Sequence, residues 1–130
     1  MLKPENRLKK VRDFNLLLKH GHWIKGKFID LNFLFLPKIR ENFPKKVDPC
    51  EFALQLKVAF AVGLKISKSA AKRNRLRRQM REIVRLFVKD KKITVGYYLL
   101  FVARAGSLEK KYEEINQEMI SLLKKARVLK

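Results

Sequence analysis

Between Lys57 and Arg85 the chain reads KVAFAVGLKISKSAAKRNRLRRQMREIVR. Up to Val62 its apolar residues alternate, with Val58, Phe60 and Val62 on one side, as in a half-buried strand. Beyond Ser69 the period changes. Leu76, Met80, Ile83, Val84 and Phe87 recur on one helical stripe, which predicts a helix over roughly residues 69–88. Asn74, Arg78, Arg81 and Arg85 fall on the opposite side. From Lys72 to Arg85 seven of fourteen residues are basic, and Glu82 is the one acid among them. Like charges on neighbouring turns repel and weaken the helix that carries them, so the compensating charge must come from outside the chain.

The composition agrees. With 32 Lys and Arg against 12 Asp and Glu, the 130 residues carry a formal net charge of +20, and the natural partner of such a chain is a polyanion. Hydrophobic residues still make up 47% of the sequence, nine of them Phe, enough for one core and a single domain over residues 1–130. The N-terminal MLKPENRLKK has no apolar stretch or cleavage site after its charges, and no run approaches the roughly 18 apolar residues of a membrane span. A lone cysteine, Cys50, offers no intrachain disulfide. The expectation is a cytoplasmic protein.

Working outward, Asp13 is placed to open a short helix whose Phe14, Leu17 and Leu18 share a face, with Gly21 as its stop. FIDLNFLFL, Phe28 to Leu36, alternates as a strand, with Ile29, Leu31, Phe33 and Phe35 opposite Asp30 and Asn32. PKIRENFPKKVDP carries three prolines among charges and reads as an extended, solvated loop. FALQLKVAFAV, from Phe52, reads as the second strand. Tyr97 to Ala103, YYLLFVA, is the nearly all-apolar run of a buried central strand. Ser107 is a candidate N-cap for a last helix with Leu108, Tyr112, Ile115, Met119, Leu122 and Ala126 in register. The order is αββαβα, an α+β domain.

The chemistry of the long helix favours phosphate. Arg presents a planar fork suited to bidentate contact, whereas Lys offers a point charge. The helix N-terminus, beside Lys68, Lys72 and Arg73, adds unpaired N–H groups and the positive end of the macrodipole. Isolated basic clusters are mostly solvated faces, and a membrane-surface or calmodulin-type helix is also basic and amphipathic. Density, one-sidedness and total charge together weigh for nucleic acid.

A strand that feeds a basic helix through a Lys/Ser turn into Arg73-Asn74-Arg75 resembles the signature of the protein subunit of bacterial ribonuclease P. RLKKVRDFNLLLKHG, Arg7 to Gly21, is similar to that family's first helix, and YYLLFVARAG to its late strand, so the resemblance covers nearly the whole chain. It implies a two-layer α/β sandwich with a sheet of about four strands and a left-handed βαβ crossover, against the usual hand. The periodicity delimits only three strands, with a fourth to be sought in the long second run or near Ser67. The family's protein assists a catalytic RNA, which with magnesium hydrolyses the phosphodiester at the 5′ end of mature tRNA. On this resemblance Lys65, Lys68, Lys72, Arg73, Asn74, Arg75, Arg77, Arg78 and Arg81 match the segment that contacts the RNA subunit. A cleft between the first helix and the sheet, with Phe14, Leu18, Asp30 and Asn32, takes the 5′ leader of precursor tRNA, Phe14 being suited to stack on an unpaired base. The chain departs from the pattern in that cleft. Leu18 stands where many members have Phe, and Asp30 and Asn32 stand where an apolar residue and Tyr are usual. An Asp30 carboxylate repels a leader phosphate unless magnesium bridges the two. Leu64 likewise replaces a common second Lys.

No catalytic residue is expected in the chain itself. A protein nuclease needs a paired acid and base or a cluster of metal-binding carboxylates. His20 and His22 read as the end of the first helix and a polar loop residue, without a third ligand. Glu113, Glu114 and Glu118 read as the solvated side of the last helix, and Trp23 and Phe28 as core or its edge. Two readings of other classes stay open: a structural RNA-binding protein of the ribosomal kind, which shares this size and charge, and a free-standing nuclease, which predicts cleavage by the protein alone.

Overall fold

The structure is a computed structural model and describes residues 2–130. In chain order the elements are α1 (Val11–His20), β1 (His22–Lys25), β2 (Ile29–Phe35), α2 (Pro49–Ala53), β3 (Leu56–Ala61), α3 (Ala70–Lys89), β4 (Tyr97–Ala103) and α4 (Tyr112–Lys125). Short 3₁₀ turns occupy Pro4–Asn6, Leu36–Asn42 and Ser107–Glu109. The four strands form one mixed sheet in the order β1-β2-β4-β3, antiparallel except for the parallel pair β3 and β4, which α3 connects. The α+β class and the four strands are therefore as expected.

β4 is central, and both of its faces are covered, which is why its sequence is apolar without alternation. On one face Ile29, Leu31, Val58, Leu99 and Phe101 meet Leu76, Met80, Ile83 and Val84 of α3 and Ile115, Met119, Leu122 and Leu123 of α4. On the other, Leu34, Tyr98 and Leu100 meet Leu17 of α1 together with Leu36, Ile39 and Phe52. Full burial of Leu17 contributes roughly 1.5–3 kcal/mol to holding α1 on the sheet.

Several local expectations are corrected. The fourth strand is β1, directly after the first helix, where four residues with only Ile24 half-buried carry too little alternation to announce themselves. It takes His22 out of the loop and into an edge strand, and it leaves Trp23 about half exposed rather than in the core. The second strand begins at Leu56, because Asp48 accepts a hydrogen bond from the Cys50 N–H at 3.0 Å and so caps the short α2, with Pro49 at its first turn. The proline-bearing loop is less solvated than its charges imply: Ile39 is buried, and Phe43 lies 4.5 Å from the Phe52 ring, centre to centre. Ser107 does not cap α4. Its hydroxyl donates to the Arg104 carbonyl at 2.7 Å, and α4 starts at Tyr112, where the Glu114 carboxylate accepts from the Lys111 N–H. Glu118 is buried rather than solvated, and it accepts the Phe28 N–H at 2.9 Å.

Gly21 ends α1 in extended conformation, with φ −76°. Space rather than backbone freedom fixes this glycine, because a Cβ here would collide with the Asn32 side chain and the Leu17 carbonyl. The first helix can thus turn directly into β1 above the sheet.

Candidate nucleic-acid interface

The site begins in the turn between β3 and α3. The Ser69 hydroxyl accepts from the Lys72 N–H at 3.3 Å, and the Ser67 hydroxyl accepts from the Ser69 N–H at 3.1 Å. Arg73 folds back and donates to the Ser67 carbonyl at 2.8 Å. Arg73 therefore fastens the turn to the helix, and a carbonyl leaves its charge uncancelled. Asn74 is exposed and accepts from Arg77 at 2.6 Å, which orients the Arg77 fork.

Lys65, Lys68, Lys72, Arg75 and Arg78 are exposed, and Arg73, Arg77 and Arg81 are partly so. Among the described residues none of these eight cations forms an ion pair with a carboxylate. Arg85, on the same face, differs. Glu82 receives two hydrogen bonds from it, at 2.9 and 2.5 Å, and these chiefly hold the Glu82 carboxyl below its ordinary value. The single acid of the segment thus neutralises only Arg85, and the strip from Lys65 to Arg81 stays unbalanced.

Beside that strip runs a groove of about 360 Å³ along the β3 edge. Leu8 donates its N–H to the Val58 carbonyl at 3.0 Å, so the N-terminal segment forms one wall, Phe14 of α1 a second and Arg81 of α3 a third. Ala59 lies at its floor, where a small side chain on the α1 side of the strand leaves room. The groove and the cationic strip share Arg81. Arg7 and Lys9 also line it; in the sequence they belong to a basic N-terminal run with no period to single them out.

The four residues expected in a cleft do not line this groove together. Phe14 does. Leu18 is 57% exposed on α1, outside the groove lining. Asn32 is fully buried beneath Gly21, its side chain without a hydrogen-bond partner among the described residues, so it supports the floor under α1 rather than offering a surface. Asp30 is mostly buried and sits 3.6 Å from the Arg104 guanidinium, and it also accepts from the Gly26 N–H. Its charge is compensated within the fold, which removes the expected repulsion of a phosphate.

Beneath α1 lies a polar group of buried side chains. Asp13 is wholly buried, accepts from the Arg12 Nε at 3.2 Å and lies 4.0 Å from Lys57 Nζ on β3. It does not open α1, as its sequence position implied, but sits in the third position and faces the sheet. The adjacent Tyr98 hydroxyl donates to Gln55 at 2.7 Å; burial first, and then the Asp13 charge, push its pKa well above the ordinary range.

Fold and site together define a class: a small α+β domain that presents an unneutralised arginine-rich helix beside a groove with an aromatic wall. Comparison with known proteins narrows it. The ribonuclease P family model matches residues 2–127. A ribonuclease P protein component from a Synechococcus strain is 37% identical over 99% of this chain and 87% of its own length, and one from Clostridium botulinum is 31% identical over 94% and 95%. Among solved structures, the RNase P protein of Staphylococcus aureus superposes with a TM-score of 0.71 at 22% identity, over 96% of this chain and 98% of that one. The Thermotoga maritima RNase P protein gives 0.65 at 23% identity, over 92% and 96%. The chain belongs to the ribonuclease P protein component family.

Proposed function

We propose that this chain binds the catalytic RNA of ribonuclease P and the 5′ leader of precursor tRNA, and so assists magnesium-dependent removal of the leader. The observation that carries this reading is the set of eight cations from Lys65 to Arg81 with no carboxylate partner among the described residues. Burying or crowding such charges is unfavourable unless phosphates complete them, and each phosphate contact releases a counterion from the nucleic acid. On this reading Lys65, Lys68, Lys72, Arg75, Arg77, Arg78 and Arg81 meet the RNA subunit, Arg73 and Asn74 set the geometry of the turn and of Arg77, and the groove takes the single-stranded leader. A base that stacks on Phe14 there places its neighbouring phosphates within a wall of Arg7, Lys9 and Arg81.

Magnesium is assigned to the RNA. Among the described residues no three or more His, Cys, Asp or Glu side chains gather as a metal site, and Asp30 already pairs with Arg104. On this reading the ion comes with the RNA, and the part of this chain's residues is to bind and position phosphates. Hydrolysis belongs to the RNA subunit on this reading, in a cytoplasmic ribonucleoprotein; no helix among the described residues is long and apolar enough to cross a membrane.

The test is a parallel titration of the chain into a bacterial ribonuclease P RNA and into an unrelated structured RNA of equal length. The reading predicts a preference of at least tenfold for the former. Equal affinities would favour a general structural RNA-binding protein.

A further inference from the structure

α3 and α4 end in the same way, and at the same end of the molecule. In α3 the Lys92 N–H donates to the Phe87 carbonyl and the Lys91 N–H to that of Val88; in α4 the Val128 N–H donates to Leu123 and the Arg127 N–H to Lys124. Both are Schellman caps, whose central residue must adopt the left-handed conformation. Lys91 and Arg127 do so, with φ of 56° and 59°, and they are the non-glycine residues with positive φ among those described. Glycine is the residue such a position ordinarily selects, because a Cβ is strained there.

The two caps are fastened to each other. Ile93 and Leu129 form an antiparallel bridge, flanked by hydrogen bonds from the Thr94 N–H to Val128 and from the Lys130 N–H to Lys92, both 2.8 Å. The segments 89–92 and 124–130 hold seven bases and one acid, Asp90. All seven are exposed, and none has a carboxylate partner within ion-pair distance among the described residues.

Cations near a helix C-terminus are favoured by the macrodipole, but Lys89, Lys124 and Lys125 in the last turns already serve that purpose. Charge at both strained cap positions needs another reason, and strain of this kind persists where function requires the side chain. We propose that this cationic end, centred on Lys91 and Arg127, is a second contact for RNA phosphates. It lies about 30 Å from the β3–α3 turn, the length of α3 at 1.5 Å per residue. Arg81 and Lys89 lie two four-residue steps apart along α3 between the two regions, with Arg85, already paired to Glu82, between them. One folded RNA lying along α3 reaches both ends. The inference rests on the reading that the partner is a structured RNA and adds a surface to it.

The test is the double variant Lys91→Gly/Arg127→Gly, which removes two charges and the strain together. Its melting temperature should hold or rise, so lost folding does not obscure the result. Its affinity for ribonuclease P RNA should fall roughly tenfold at about 0.1 M salt, the slope of log affinity against log salt should drop by about 2, and the difference should vanish near 1 M. Unchanged affinity and slope overturn the proposal and leave the preceding functional reading intact. So does a loss confined to phosphatidylserine vesicles, which would make this end a membrane contact. If the unmodified chain shows no preference for ribonuclease P RNA, that preceding reading fails, whereas the slope comparison still decides this one on any structured RNA.

Discussion

Lys57 Nζ on β3 lies 4.0 Å from the wholly buried carboxylate of Asp13 on α1. The two residues join the helix that carries Phe14 to the strand that carries Ala59, both of which line the groove. The partners are not equally replaceable. Lys57 retains some exposure and reaches water if left alone, whereas Asp13 without Lys57 keeps only its bond to Arg12. Lys57→Met should therefore cost more than Asp13→Asn, about 2 kcal/mol against about 1 kcal/mol, since it leaves the buried carboxylate charged with Arg12 alone to compensate it, whereas the amide carries no charge. Urea denaturation of both variants checks the order; equal losses would show that the carboxylate is not held by Lys57.

Tyr97 and Tyr98 both hold their protons above the ordinary tyrosine range, because burial disfavours the phenolate. Unfolded, each titrates near pH 10. The folded chain then binds more protons than the unfolded one, so stability is complete below about pH 10 and falls as pH rises beyond it. Tyr98→Phe should reduce the steepness of that fall by roughly one proton. Stability measured from neutral pH upward for both proteins would show it, and an unchanged profile would remove Tyr98 as a source.

Arg78 is exposed and has no carboxylate partner among the described residues, on the side of α3 away from the core. If it meets one phosphate, Arg78→Ala should lower the salt slope of RNA binding by about 1 and weaken binding evenly across sequences. Arg85→Ala should change the slope less, because Glu82 already holds that guanidinium. Equal changes would mean that the ion pair opens on binding.

Phe14 presents a partly exposed ring in the groove. Phe14→Ala should cost on the order of 1–3 kcal/mol in binding a leader-bearing precursor to the assembled ribonucleoprotein, and little with mature tRNA. Equal losses on both substrates would indicate a displaced α1 rather than a lost stack.

Much of this was legible in the residues. The change of period at Ser69 marks both β3 and α3, and α3 starts directly after Ser69. The charge of α3 could be read because Glu82 is the one acid within it. Other features depend on tertiary pairing that no local pattern carries. β1 is four residues at an edge, held by its ladder to β2. Asn32 alternates as an outward polar residue, yet the far face of β2 is roofed by α1, so the side chain is buried. Asp30 looks like a lone negative charge until the chain brings Arg104 beside it from the end of β4. The groove is likewise invisible locally, since its walls come from the N-terminal segment, α1, β3 and α3.

The most direct measurement is removal of the 5′ leader from a precursor tRNA by a bacterial ribonuclease P RNA at limiting magnesium, with and without this chain, beside the chain alone. The account predicts stimulation that requires both components, weakened by Arg78→Ala and Phe14→Ala, and no cleavage by the chain alone. Leader removal that the chain leaves unchanged, or that it performs without the RNA, would contradict it.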